Sequence, residues 1–248
     1  MIEAEITVII PAYNAENTIA RAINSVLQND LNNLKLIVID DCSTDETLKI
    51  CESIQDHRLI ILKNNINIGV SKSRNLALKI SKSDYVAFLD ADDYWYKDKL
   101  TQQLLVLQSS DSNMIGCYTH LVINGKTIRK APKKIDFRGL CINGNDVGMS
   151  SSIIKYSALK DTEFESVGHE DYKFWLKILA NGGELNLSSN FNNRNQMTYY
   201  EKTQKSLSSN KFKAALWTLN ILFSVLPVHL AIYSSVRYVI KHIKRYIN

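Results

Sequence analysis

Residues 88–95 read Phe-Leu-Asp-Ala-Asp-Asp-Tyr-Trp. Asp90, Asp92 and Asp93 follow directly on an apolar run, 85–89, of strand length. In an extended chain Asp90 and Asp92 project to the same side, because strand alternation has period two. Two such carboxylates can share a hard divalent cation, Mg²⁺ or Mn²⁺, when a diphosphate supplies further oxygens. The same three acids also suit a solvated loop before a helix. Two more acidic pairs stand out. Asp40-Asp41 closes the run Leu-Lys-Leu-Ile-Val-Ile and precedes Ser43-Thr44-Asp45-Glu46, which has the spacing of a capping box with Ser43 as N-cap. Glu170-Asp171, in Gly168-His169-Glu170-Asp171, opens an apolar helix pattern. Acids there are favoured by the helix dipole in any protein.

The elements that must carry these residues alternate. A β-branched run at 5–10 stops at Pro11, and Ile19, Ile23, Val26 and Leu27 then recur at helical spacing. Further strands are expected at 34–40, 58–62 and 85–89. Helices between them place Leu48, Cys51 and Ile54, then Leu76, Ala77 and Ile80, on one face. This βαβαβαβ order predicts an α/β fold with a mostly parallel sheet covered on both faces. Ligands of such sheets collect at the carboxyl ends of the strands, where Tyr13, Asp40, Asp41 and the 90–93 cluster fall. In the second half, Leu100, Leu104 and Leu107 mark a helix, and 114–130 reads as a hairpin turning at Asn124-Gly125. Residues 131–150 read as a mobile loop. The run 170–180 is a strong helix stopped at Gly182, with Trp175 on its core face.

Charge divides the chain unevenly. The 248 residues carry a net charge of +5, yet no acidic residue follows Glu201, and eight basic residues there leave about −3 on residues 1–201. Between residues 215 and 236 every residue is uncharged, with Pro227 interrupting the run. An acidic body with a basic, apolar tail argues against nucleic acid as a partner. It favours two amphipathic helices lying on an anionic membrane surface over a spanning or re-entrant segment or plain packing within the protein or an oligomer. The N-terminus has glutamates where a secretion signal would have lysines, and Cys42, Cys51, Cys117 and Cys141 form no metal or disulfide frame. Both fit a cytoplasmic protein, peripheral on the inner face of the cell membrane.

Taken together and in order, the stretches 8–27, 37–47, 67–78 and 85–95 resemble glycosyltransferase family 2, the inverting nucleotide-sugar transferases of GT-A fold. The resemblance covers most of residues 5–180. It implies a catalytic domain at 1–210, with a nucleotide-sugar-binding half at 1–98 and an acceptor half at 99–210, and a separate tail at 211–248. It implies that Pro11 and Tyr13 hold the nucleobase, with Asp41 accepting the uracil imino hydrogen beside Asp40. Arg74 would meet the base or diphosphate, and Asp90 with Ala91 the nucleoside side. Asp92, with Asp90, would hold Mn²⁺ or Mg²⁺. Asp171 would be the catalytic base, with Glu170 orienting acceptor or base. The donor would be a nucleotide sugar, most naturally a UDP-sugar, and the acceptor a glycan or lipid-linked sugar in polysaccharide synthesis. One departure concerns Tyr200-Glu201, where the family often has Tyr-Arg followed by histidine. Lys202, Lys205 or Arg194 would replace that basic contact. A sugar nucleotidyltransferase would need a Gly-rich, basic loop after the first strand, and 11–18 holds neither glycine nor lysine nor arginine. A non-catalytic nucleotide-sugar binder would have no need of both Asp92 and Asp171.

Overall fold

The computed structural model describes residues 4–29, 31, 33–108, 114–116, 119–123, 126–130, 137–145, 147–182, 185–187, 198–201 and 211–247. Strands β1 (Ile6–Ala12), β2 (Leu34–Asp40), β3 (Leu59–Lys63) and β4 (Tyr85–Phe88) alternate with helices α1 (Ile19–Leu27), α2 (Thr47–Ser53) and α3 (Val70–Ile80). The strands pair in parallel, with Ala12 beside Asp40 and Ile9 beside Phe88. The apolar runs of β1, β2 and β4 are buried on both faces, while the edge strand β3 is only half-buried and exposes Ile60. Ile9, Ile37, Ile39 and Phe88 face one core, while Val8, Ile10, Leu36 and Val38 face the other, as the two-residue period requires. Burial of both faces explains why these strands read as continuous apolar runs.

After the short strand β5 (Tyr94–Trp95) come α4 (Lys99–Gln108), β6 (Met114–Gly116), β7 (Thr119–Ile123) and β8 (Lys126–Lys130). Then follow α5 (Phe137–Asn143), β9 (Ile153–Lys155), α6 (Glu170–Ala180), β10 (Leu185–Leu187) and β11 (Thr198–Glu201). The main sheet has the order β10-β6-β9-β4-β1-β2-β3, and a second sheet has the order β5-β11-β7-β8. Strand β9 runs antiparallel to β4, with Ala87 opposite Ile153. That reversal brings the 3-10 turn Met149–Ser151 beside the carboxyl end of β4. The predicted hairpin is present, pairing Ile123 with Lys126; its turn residues lie outside the described set.

Four local expectations need correction. Leu76 and Ile80, expected beside Ala77 on one face of α3, are exposed, and the buried face is formed by Ser73, Arg74, Ala77 and Leu78. The helix after Asp41 begins at Thr47, not at a Ser43 cap. The Ser43 hydroxyl instead accepts the Asn14 amide at 3.0 Å, and Asp45 accepts the Thr47 amide at 3.0 Å. A tertiary partner has taken the cap residue. Residues 131–150 are not one loop, because α5 inserts Leu140 and Cys141 into the core beneath α6. Finally, the chain does not stay extended through Asp92. Strand β4 ends at Phe88, and the Asp93 amide donates to the Asp90 carbonyl at 3.0 Å, closing a turn.

The tail forms α7 (Lys211–Val225) and α8 (Val228–Ile247), separated at Pro227 as the sequence predicts. Ile221, Leu222, Leu226 and Ala231 are buried and join the core formed with α5 and α6. Leu230, Ile232, Tyr233, Val236, Val239 and Ile240 are exposed. Among the described residues, no helix is long and apolar enough to cross a membrane.

Candidate active site

The parallel pairing sets the carboxyl ends of β1, β2 and β4 side by side, and the candidate residues follow in their loops. After β1, Pro11 is buried and Tyr13 stands half exposed at the rim, with a ring face available for stacking. Asn14 adopts a left-handed conformation (φ 49°), and its Oδ1 accepts the Thr44 amide at 2.9 Å, which knits the first two loops together. Asp40 is fully buried; one carboxylate oxygen accepts the Ser43 amide at 3.2 Å, and the other has no protein donor. Asp41 is also buried and organises the loop before α3. It accepts from Asn64 Nδ2 (2.8 Å) and from the amides of Ile68 (2.9 Å) and Gly69 (2.8 Å). A carboxylate has about four acceptor positions, so one remains for a further donor.

Arg74 lies on α3 in the middle of the site. Its guanidinium is 3% exposed and spans two carboxylates: Nη2 donates to Asp90 Oδ1 at 2.6 Å and Nη1 to Glu170 Oε1 at 3.0 Å. The sequence suggested that this side chain faces base or diphosphate. In the structure it lies between two acids, because a buried cation requires counter-charges. Its charge is held more firmly than usual: burial works against it, but Asp90 and Glu170 outweigh burial. Arg74 therefore ties the acidic turn after β4 to the start of α6, 96 residues away in sequence.

Around that turn the three acids separate. The Asp90 amide donates to Ser150 Oγ at 3.0 Å. Ala91 is half-buried and Asp92 is exposed at the tip, where its carbonyl accepts from Arg21 Nη2 at 2.9 Å. Asp93 is fully buried and points to a structural role. No group of three or more His, Cys, Asp or Glu side chains able to hold a metal occurs among the described residues. Asp90 and Asp92 still fit a hard cation: both are oxygen donors two residues apart, Arg74 occupies only one Asp90 oxygen, and a diphosphate would complete the shell.

Helix α6 begins at Glu170, after His169 in a left-handed conformation (φ 58°). Asp171 Oδ1 accepts its neighbour Tyr172's amide at 2.8 Å, and Oδ2 accepts from Asn145 Nδ2 at 2.5 Å. Burial, reinforced by the charge of Glu170, pushes the Asp171 carboxyl up to about 7; the Tyr172 amide and Arg74 oppose the shift. His169 moves the other way, its pKa lowered by burial, and its ring meets Trp217 edge-on at 5.4 Å. Gly168 is required by the same indole, since a Cβ there would lie 1.9 Å from Trp217 Cδ2. Trp175 is fully buried core, as its helical spacing predicts.

Sequence reasoning placed specificity around Asn143-Gly144-Asn145 without giving Asn145 a role at the base, and it did not single out Ser150 or Trp217. Asn145 carried a weak signal, following Asn143-Gly144; Trp217 carried none. Arg194, Lys202 and Lys205, considered as substitutes for the basic contact missing at Glu201, lie outside the described residues.

A mostly parallel sheet flanked by helices, with acids at the ends of β2 and β4 and an acidic helix start facing them, has the architecture of GT-A transferases. The sequence profile of Glycosyl transferase family 2 matches residues 7–177, and the chain belongs to that family. It is a glycosyltransferase. The chain is 34% identical over 227 residues to the Escherichia coli UDP-Glc:alpha-D-GlcNAc-diphosphoundecaprenol beta-1,3-glucosyltransferase WfaP, covering 89% of this chain and 86% of the relative. Its fold matches S. aureus TarS 1–349 in complex with UDP-GlcNAc at a TM-score of 0.76 and 22% identity, over 97% of this chain and 73% of that one. It also matches the mannosyltransferase PcManGT from Pyrobaculum calidifontis, in complex with GDP-Man and Mn2+, at a TM-score of 0.68 and 17% identity, over 89% and 64%.

Proposed function

We propose that this glycosyltransferase inverts the anomeric centre of a UDP-sugar, depends on a divalent cation, and transfers to a lipid-linked sugar at the inner membrane face during polysaccharide synthesis. The relative WfaP, a UDP-glucose enzyme acting on a diphosphoundecaprenol acceptor, supports glucose and a polyprenyl-linked acceptor as the first pair to test. The observation that carries the mechanism is the Arg74 bridge. It joins the Asp90 turn, the donor end, to Glu170 beside Asp171, the acceptor end. Donor and base are thereby held within one site.

Asp171 removes the proton from the acceptor hydroxyl. Its pKa of about 7 suits it, because a base poised near the working pH is both deprotonated and able to hold a proton. Glu170, fixed by Arg74, holds negative charge beside Asp171 and raises its basicity. The hydroxyl attacks from the side opposite the leaving nucleoside diphosphate, so one displacement inverts the centre and no covalent nucleophile is needed. Tyr13 stacks on the base, and Asp41, with Asp40 beneath it, offers the remaining acceptor position to the uracil imino group. Asp92 and Asp90 would hold Mn²⁺ or Mg²⁺, and a cation there would supply positive charge against the diphosphate. The exposed face of α8, with the basic residues of the tail, lies on the anionic membrane surface where the acceptor resides.

The test is transfer from radiolabelled UDP-glucose with Mn²⁺ to a GlcNAc-diphosphoryl lipid, with Asp171→Asn and Asp92→Ala in parallel. Asp171→Asn should bind UDP in calorimetry and transfer nothing; Asp92→Ala should also lose Mn²⁺-dependent UDP binding. Turnover by Asp171→Asn at the wild-type rate would refute the base.

A further inference from the structure

Helix α6 does not hold Asp171 alone. The Asn145 side chain reaches it from the segment after α5, donating from Nδ2 to Asp171 Oδ2 at 2.5 Å. The other end of the same amide is also engaged, because Asn145 Oδ1 accepts the Val147 amide at 3.2 Å. With its oxygen facing Val147, the amide presents its NH₂, a donor, to the carboxylate. Each Asp171 oxygen then has one fixed donor, the Tyr172 amide or Asn145, and keeps a lone pair for an acceptor hydroxyl.

What holds Asn145 comes from the end of the chain. Helix α5 closes at Asn143, and Gly144 reverses the backbone with φ +80°. A Cβ at Gly144 would lie 3.0 Å from Tyr238 Cε2, so the buried Tyr238 ring of α8 packs directly on that turn. One turn of α8 further on, Lys241 Nζ donates to Asn143 Oδ1 at 2.5 Å. Both residues that precede Asn145 are thus braced by α8.

We propose that Asn145 is a positioning residue for Asp171, and that α8, through Tyr238 and Lys241, holds the turn from which Asn145 acts. The proposal rests on the reading of Asp171 as the base. Asn145 has two effects. It fixes the rotation of the carboxylate toward the acceptor hydroxyl, and its N–H favours the charged form. The charged groups acting on Asp171 among the described residues are Glu170 on its own helix, Arg74 on α3 and Asp90 on the turn after β4. Asn145 opposes the two acids without adding charge.

The experiment measures kcat, both KM values and the pH dependence of kcat/KM for full-length Asn145→Ala, Asn145→Asp, Lys241→Met and Tyr238→Ala, beside Asp171→Asn. Circular dichroism and melting confirm folding. Asn145→Ala should lower kcat about 10- to 100-fold, the scale of a misplaced reacting group. Its donor KM should not change, and its acidic limb should move to higher pH. Asn145→Asp should move that limb further, because it replaces a donor with a second negative charge. Lys241→Met should act in the same direction as Asn145→Ala but more weakly, and add little in the double variant, because it works through Asn145. If Tyr238→Ala fails to fold, the Lys241→Met pair carries the comparison. Wild-type kcat and acidic limb in Asn145→Ala, with Asp171→Asn inactive, would overturn the positioning role and leave the base intact. Full activity of Asp171→Asn would overturn the base itself. Effects of Asn145→Ala and Lys241→Met that multiply would overturn the brace.

Discussion

The two halves of the site are built differently. On the donor side, most candidate residues sit at or just past the end of a strand, Pro11 and Asp40 within β1 and β2, Tyr13 and Asp41 one position beyond them and Asp90 two beyond β4, and the parallel register of β1, β2 and β4 places them. On the acceptor side, the start of α6 is fixed by groups far away in sequence: Arg74 on α3, Asn145 after α5 and Trp217 on α7. Backbone pairing positions the first group, and side-chain packing positions the second. The donor half should therefore tolerate changes in its surroundings, while the acceptor half should respond to substitutions well outside it.

The largest expected effect separates activity from stability at one residue. Asp171→Asn should lower kcat by at least ~10³-fold while the fold persists, on the scale of lost general-base catalysis. Its stability should move the opposite way. The folded-state pKa of Asp171 is about 7, well above the ordinary carboxylate value, so the folded state binds this proton more tightly than the unfolded chain. That contribution is fully present below about pH 4 and is lost as pH rises through about 7. An uncharged asparagine escapes the loss. The variant should be more stable than wild type by about 4 kcal/mol at pH 8, roughly three pH units between the two pKa values at about 1.4 kcal/mol each, with the difference vanishing near pH 4. Denaturant unfolding at the two pH values checks the sign, and equal stability at both would remove the buried-acid account.

Next in size is Arg74→Met. It strips the cation from between Asp90 and Glu170, leaving two partly buried carboxylates facing each other. The cost should be about 3 kcal/mol, at the low end for breaking a buried ion pair because both acids keep some water. Asp171 should also lose a stabilising positive charge, moving the acidic limb of activity upward. Arg74→Lys should recover little, since an ammonium cannot span both carboxylates. A Lys variant as active as wild type would show that the two ends of the site need no common tie.

Gly168→Ala tests the packing more gently. The new methyl would meet the Trp217 indole at 1.9 Å, and overpacking of this kind costs about 1–3 kcal/mol. Since Gly168 precedes His169 and Glu170, activity should fall along with stability. In Gly168→Ala/Trp217→Ala the loss should be smaller than the two single losses together, because the clash is gone. Strict additivity in melting would place the strain elsewhere.

This contrast also explains what the sequence disclosed. The sheet, its helices and the acids at strand ends were legible, because burial on both faces leaves long β-branched runs and the loops fall where those runs stop. Trp175 and the break at Pro227 were legible for the same local reason. Arg74 was singled out for its charge, but its protein partner Glu170, 96 residues on, is not visible from local spacing. Ser43 matched a capping box, yet its hydroxyl went to Asn14 across the loop. Helix α5 was missed because it buries only Leu140 and Cys141, too few to set a period.

The smallest catalytic effect should come from the outer face of α8, where the comparison becomes sharpest. Ala231, Ser234 and Tyr238 are buried against the body, whereas Ile232, Val236 and Ile240 form an exposed stripe on the opposite side. The spacing of each set is helical, so one helix carries two separate tasks. Changing Ile232, Val236 and Ile240 together to serine removes about three buried aliphatic side chains' worth of membrane contact and leaves the basic charges in place. Binding to vesicles containing anionic lipid should weaken at least ~10-fold, while kcat on a water-soluble acceptor stays at the wild-type value. Lys241→Met, on the inner side, should do the reverse: lower kcat and little change in vesicle binding. If the serine triple binds vesicles as wild type does, the outer stripe is not a membrane surface. If it loses activity on the soluble acceptor as well, the two faces of α8 are not independent, and membrane contact is felt at Asp171 through the turn at Gly144.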